Sequence, residues 1–221
     1  MSDPHGPRRD GAANRGIARP SESARTEAFS DGVFSIAVTL LVLELAIPAV
    51  QGGFASALVD EWVSYVAYIA AFGAIGVLWM GHHSLFNHIE SVDPGLLWRN
   101  LVLLFTVSVV PFPTAVVASA YRVGTPADQA AAVVAYAVVG IGSGVSWLLL
   151  FSYIRGRMGR LAPHADPAFF TLRAPLVTIA GYALAALLGW FVSPALALAI
   201  FLLFPPFYVI QVRADAAARE S

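Results

Sequence analysis

Six long apolar runs, separated by short polar or Pro- and Gly-bearing breaks, organise the 221-residue chain: roughly residues 29–48, 61–82, 97–121, 128–153, 170–191 and 195–212. A bilayer crossing needs about 20 predominantly apolar residues, so the pattern predicts an all-α bundle of six transmembrane helices. The first run stands apart from the others. It carries Ser30, Asp31, Ser35, Thr39 and Glu44 inside otherwise apolar sequence. At about 100° per residue, Ile36, Leu40, Leu43 and Ile47 fall on one side, Asp31 and Ser35 lie on an adjacent one, and Thr39 sits between. Polar groups are costly in hydrocarbon, so such a helix is expected to face protein or a water-filled path.

The other runs carry their own punctuation. Trp62, Tyr65 and Tyr68 open the second and Trp79 closes it, as aromatic belts do at both membrane interfaces. Pro111 and Pro113 should kink the third, and Pro205-Pro206 interrupts the sixth. Gly140, Gly142 and Gly144 in the fourth allow close helix packing. The short Ser193-Pro194 break makes the last two runs a tight helical hairpin.

Composition supports a membrane protein, since 58% of residues are hydrophobic against roughly 45–50% in soluble domains. There is no cysteine, which excludes disulfides and Cys-ligated metals, and the net charge of −1 with no large basic cluster gives no reason to expect nucleic acid. All thirteen cationic residues are Arg. An even number of spans puts both termini on one side. That side then holds Arg8, Arg9, Arg15, Arg19, Arg25, Arg99, Arg155, Arg157, Arg160, Arg173, Arg213 and Arg219, leaving Arg122 alone on the other. Positive charge stays inside, so both termini are expected in the cytoplasm. The expected organisation is a disordered cytoplasmic tail over 1–28, a six-helix domain over 29–213 and a second tail over 214–221.

Five groups of residues carry candidate chemistry. Arg25, Asp31, His82 and Asn100 fall near the cytoplasmic ends of three helices, as a proton-sensing gate or as a structural network; Asp31 also suits a helix N-terminus. His82, His83 and His88 do not share a helix face, and no carboxylate stands at an HExxH spacing, so no metal site is expected. The GIGSG run at 140–144 departs from an intramembrane serine-protease pattern at Ile141 and has no His in the last two spans, so no enzyme is expected. Glu44 would concentrate cations at an outer mouth, snorkel to the interface or pair with a neighbouring helix. The Ile36, Leu40 and Leu43 stripe faces lipid or core on ordinary grounds, or borders a symmetry axis.

Arg25-x-x-x-Phe29-Ser30-Asp31, followed by GVFSIAVTLLVLEL, resembles the RxxxFSD signature of the transmembrane protein 175 family of potassium channels. LWMGHHSLF over 78–86 resembles that family's W-x-x-H-H segment, and LLWRNL over 96–101 with Pro111-Phe-Pro113 resembles its third helix. The resemblance covers roughly 25–117. It implies a bacterial single-repeat subunit of the inner membrane, assembling as a homotetramer in which the first helices line a central pore without a TVGYG filter. It implies a pore constriction at Ile36, Leu40 and Leu43, and a contribution of Thr39 to ion preference. Arg25, Phe29, Ser30, Asp31 and His82, with Asn100, would form a structural network. K⁺ is the permeant ion implied, with no cofactor. Phe34 departs from the family, which often has a smaller aliphatic residue there. The rival reading is a secondary transporter, whose repeats and broken helices find an echo in the Pro-bearing third and sixth runs.

The topology makes a direct prediction. Cys introduced at Gly52 or Thr125 reacts with an impermeant external thiol reagent, and Cys at Arg157 does not; reversed labelling would overturn the Arg argument.

Overall fold

The computed structural model describes residues 21–45 and 53–206, and the described residues are helical with no strand. Five helices or helix pairs are long and apolar enough to cross a membrane. They make the chain a multi-pass, all-α bundle. The sixth run appears as a shorter apolar helix, Pro194–Pro206, and its expected continuation to 212 lies outside the described residues. The tail over residues 1–20 and the stretch 207–221 lie outside them too.

Helix α1, Glu22–Leu40, starts seven residues before the expected 29, inside the segment read as tail. The reason is local: the Ser21 hydroxyl accepts from the Ala24 N–H at 3.1 Å, and Glu22 sits in the first turn. Such a cap is worth about 1 kcal/mol, and an acid at the N-terminus adds to it. Buried Ser23 donates to the Ile89 carbonyl at 2.9 Å and anchors the new turn to the end of the second span. A 3₁₀ turn, Leu41–Glu44, finishes the helix.

A short helix unseen in the pattern, α2 (Phe54–Asp60), precedes the second span. Gly53 opens it at φ 129°, a conformation L side chains rarely adopt. The second span itself is α3, Trp62–Phe86, four residues longer than expected at its far end. The third span is two helices, α4 (Pro94–Val109) and α5 (Pro111–Val123). The break falls at Val110, where Pro111 and Pro113 cannot donate to the helical ladder. Helix α6, Pro126–Arg155, is capped by a reciprocal Thr125–Asp128 box. A single turn, α7 (Met158–Leu161), then leads to α8 (Arg173–Phe191) and α9 (Pro194–Pro206).

Helix α6 is the central post, packed against α4, α5 and α8, while α1 leans on α3 and α4. Two buried clusters result. One gathers Phe34, Leu41, Ile75, Val107, Val133 and Phe201. The other gathers Leu85, Leu96, Leu150, Ile154, Leu161 and Phe170 where the connecting segments close over one end of the bundle. Lipid is as apolar as Leu, so these clusters hold by close packing rather than by removal from water. The glycines of α6 show it. A Cβ at Gly140 would stand 2.5 Å from the Tyr182 ring and one at Gly144 would stand 2.7 Å from Ile179, both on α8, whereas Gly142 has 3.6 Å of clearance to Thr106.

Gly140→Ala should therefore destabilise the protein by about 1–3 kcal/mol through overpacking, and Gly142→Ala should be near neutral. Melting temperatures in detergent decide it, and equal effects would mean that the α6–α8 contact is looser than described.

Candidate functional site

Helix α1 presents two unlike faces. Ser30, Phe34, Ala37 and Leu41 are buried against α3 and α4. The opposite side stands open along its whole length. Phe29 is 58% exposed, Ile36 60% and Leu43 74%, with Leu40, Ser35, Thr39 and Arg25 also exposed. Of the polar residues Asp31, Ser35 and Thr39, Asp31 alone reaches a neighbouring helix. Ser35 donates to the Gly32 carbonyl at 3.2 Å, and Thr39 donates to its own helix at the Ile36 carbonyl, 2.9 Å away. The hydroxyls therefore share the open face with the aliphatic residues. Val38 packs against the core instead.

The buried face is held by a run of polar side chains from three helices. His82 of α3 meets the Asn100 side-chain oxygen at 2.9 Å, and the Asn100 amide donates to the Ser30 hydroxyl at 3.0 Å. Ser30 donates onward to the Thr26 carbonyl at 2.9 Å. An amide oxygen only accepts, so His82 carries its proton on Nε2; its Nδ1 has no partner among the described residues. The ring lies against Phe86 with centroids 4.5 Å apart and against Phe34 at 5.3 Å. The large Phe34 thus acts as a lid on the network, away from the open face.

Of the six residues expected in this network, His82, Asn100 and Ser30 form its core, and Asp31 forms a neighbouring branch by accepting from the Trp79 indole at 2.9 Å. Trp79 stacks on His83, whose Nδ1 meets Glu27 at 2.8 Å. Phe29 and Arg25 stand on the open face instead, and Arg25 pairs with no carboxylate among the described residues. Glu44 ends half-buried in the 3₁₀ turn. His88 donates to the Ser84 carbonyl and stacks on Phe169, so His82, His83 and His88 go to three different partners.

Sequence reasoning missed three contacts. The Trp79–Asp31 bond joins residues from two motifs already quoted, so W-x-x-H-H read together with FSD was the available signal. Glu61 and Arg122 form an ion pair at 2.9 Å, with Ser64 donating to Glu61 at 2.8 Å, and nothing local announces it. Asp93 gathers Tyr153 and Arg160 across 60 and 67 residues of sequence.

An open, partly hydroxylated helix face backed by a buried polar clamp, in a multi-pass bundle, defines a membrane protein with a candidate conduction surface. Comparison with known proteins says which. The profile of the family described as endosomal/lysosomal potassium channel TMEM175 matches residues 25–111. A potassium channel of Streptomyces collinus is 41% identical over 143 residues, covering 64% of this chain and 68% of that one. A potassium channel of Chamaesiphon minutus is 44% identical over 119 residues, covering 52% and 58%. The crystal structure of a lysosomal potassium-selective channel TMEM175 homolog from Chamaesiphon minutus superposes with a TM-score of 0.74 at 31% identity, covering 86% of this chain and 97% of that one. The chain belongs to the TMEM175 family.

Removing the centre of the clamp tests its role. Asn100→Ala strands the buried His82 Nε2, at about 1–3 kcal/mol for an unsatisfied group, and cuts the link to Ser30, which keeps only its bond to the Thr26 carbonyl. The folded yield and melting temperature should fall well below those of Ser35→Ala, whose hydroxyl bonds locally. Equal stability of the two variants would show that the clamp is dispensable.

Proposed function

We propose that the protein conducts K⁺ passively as a homotetrameric, six-helix-per-subunit channel of the bacterial inner membrane, its termini cytoplasmic and its pore lined by the open face of α1. The observation that carries this reading is the placement of Ile36, Thr39 and Leu43 on one exposed side of a helix whose other side is clamped by His82, Asn100 and Ser30. One such face is one wall of a pore, and a closed ring of copies is the economical way to supply the rest. The names of the bacterial relatives support potassium as the permeant ion. They give the carrier reading no ground.

Mechanistically, a ring of Ile36 side chains presents no polar surface and gates by dewetting. Leu40 and Leu43 add further apolar layers toward the Glu44 end. Thr39, between Ile36 and Leu43, offers a hydroxyl to a partly dehydrated cation; it is now turned onto its own backbone and needs only a side-chain rotation to do so. Glu44 is placed to raise the local cation concentration at the outer mouth. Arg25 and Phe29 extend the same face toward the cytoplasm, while Asp31 is held beside it by Trp79. No cofactor is needed for passive flux.

Ile36→Asn wets the ring. A barrier lower by about 1.4 kcal/mol corresponds to about tenfold more flux, with Na⁺ gaining more than K⁺. Val38→Asn, on the packed side, should not raise flux. Liposome flux under K⁺ and Na⁺ gradients at matched protein loading checks this. Unchanged flux in Ile36→Asn, alongside altered flux in Val38→Asn, would place the stripe against lipid.

A further inference from the structure

The bundle end closed by the α3–α4 and α6–α8 connections carries a second cluster, built from residues outside α1. Tyr153, near the end of α6, lies over Gly95 in the first turn of α4, where a Cβ would stand 1.9 Å from the phenol oxygen. Glycine is what admits the ring. The hydroxyl donates to the Asp93 carboxylate, 3.0 Å from each oxygen. The Arg99 guanidinium carbon stands 3.9 Å from the ring centroid and that of Arg157 stands 4.0 Å from it. Both guanidinium groups are therefore set against the same ring.

This arrangement holds two like charges together without neutralising them. Asp93, the carboxylate at hand, also accepts the Leu96 N–H at 2.8 Å and is ion-paired with Arg160. Glu90 is engaged by His164. Arg155 donates to the Phe170 carbonyl at 3.3 Å. Arg99 uses one N–H on the Gly95 carbonyl at 2.9 Å, and Arg157 meets no carboxylate among the described residues. Arg99, Arg157 and Arg160 against Asp93 leave two uncompensated positive charges, on cations positioned by a ring. Cations kept for topology alone need no such positioning. Beside them Trp98, 69% exposed, and exposed Leu97 and Leu101 form the outward ridge of α4. An aromatic at the polar end of a span marks the headgroup level, which puts the two cations where lipid phosphates lie.

We propose that Arg99 and Arg157, both positioned against the Tyr153 ring, bind the phosphate of an anionic phospholipid headgroup whose chains run along the Trp98 ridge. Planar guanidinium groups suit phosphate oxygens better than a diffuse surface charge does. The site concerns one end of the bundle and does not depend on the conduction path.

Native mass spectrometry of the full chain, purified from nanodiscs of equal parts phosphatidylglycerol and phosphatidylcholine, reads the bound-lipid ratio on the folded peak. Wild type should retain phosphatidylglycerol preferentially, and Arg157→Gln should lower the ratio about fivefold. Arg173→Gln, which removes an exposed cation at the same end, should leave it unchanged. If Arg157→Gln aggregates, Arg99→Gln is read in its place. Equal losses in the Arg157 and Arg173 variants, or no lipid preference in wild type, would overturn the proposal. Displacement of the lipid by millimolar inorganic phosphate alone would make free phosphate the ligand and overturn the lipid assignment.

Discussion

The hydrogen-bonded run from His82 through Asn100 to Ser30 fixes α1 against α3 and α4, and the orientation of every other α1 residue follows from it. Apolar packing in a bilayer discriminates weakly between rotations of a helix, because lipid and core are equally apolar. A polar group has no such freedom. Turning Ser30 away would leave the buried Asn100 amide without its acceptor beside His82, at a cost that ordinary side-chain repacking cannot offset. The clamp therefore works as a register device. Placing Ser30 inward puts Ile36, Thr39 and Leu43 outward, with no contact needed on the open face itself.

The rest of the bundle supplies rigidity behind that clamp. The α6–α8 contact closes to backbone distance through Gly140 and Gly144, and α6 in turn bears on α4 and α5. The break at Val110 lets α4 follow α1 while α5 packs against α3. At the far end, Glu61 and Arg122 tie the start of α3 to the end of α5. The first helix thus rests on a scaffold whose own contacts do not involve its open side.

Most of this was legible wherever the signal is local. Hydropathy placed the spans, Pro111 and Pro113 placed the break, and the glycines of α6 marked its close contact. His82 and Asn100 were legible as a group with Arg25 and Asp31, because each is a polar residue near the same end of an apolar run, and Ser30 joined them through the resemblance alone. What escaped was of two kinds. Helix ends shifted where a cap outweighed composition, as Ser21 and Glu22 did for α1, and the seven-residue α2 is too short to show a period. Long-range partners escaped because hydropathy gives neither the rotation of a helix nor the reach of a side chain. Trp79 finding Asp31, Arg122 finding Glu61 and Tyr153 seated on Gly95 depend on both. Rotation also explains why Arg25 and Phe29, which resemblance grouped with Ser30, stand on the opposite side of the helix.

The central claim is that the open face of α1 lines the conduction path. With no cysteine in the chain, Thr39→Cys introduces a single reactive site on that face. A positively charged methanethiosulfonate reagent, applied to reconstituted channels while K⁺ flux is followed, gives the most direct reading. The account predicts that modification suppresses flux, and that Trp98→Cys, on the exposed ridge of α4, is modified without effect. Complete modification of Thr39→Cys with flux unchanged would contradict it.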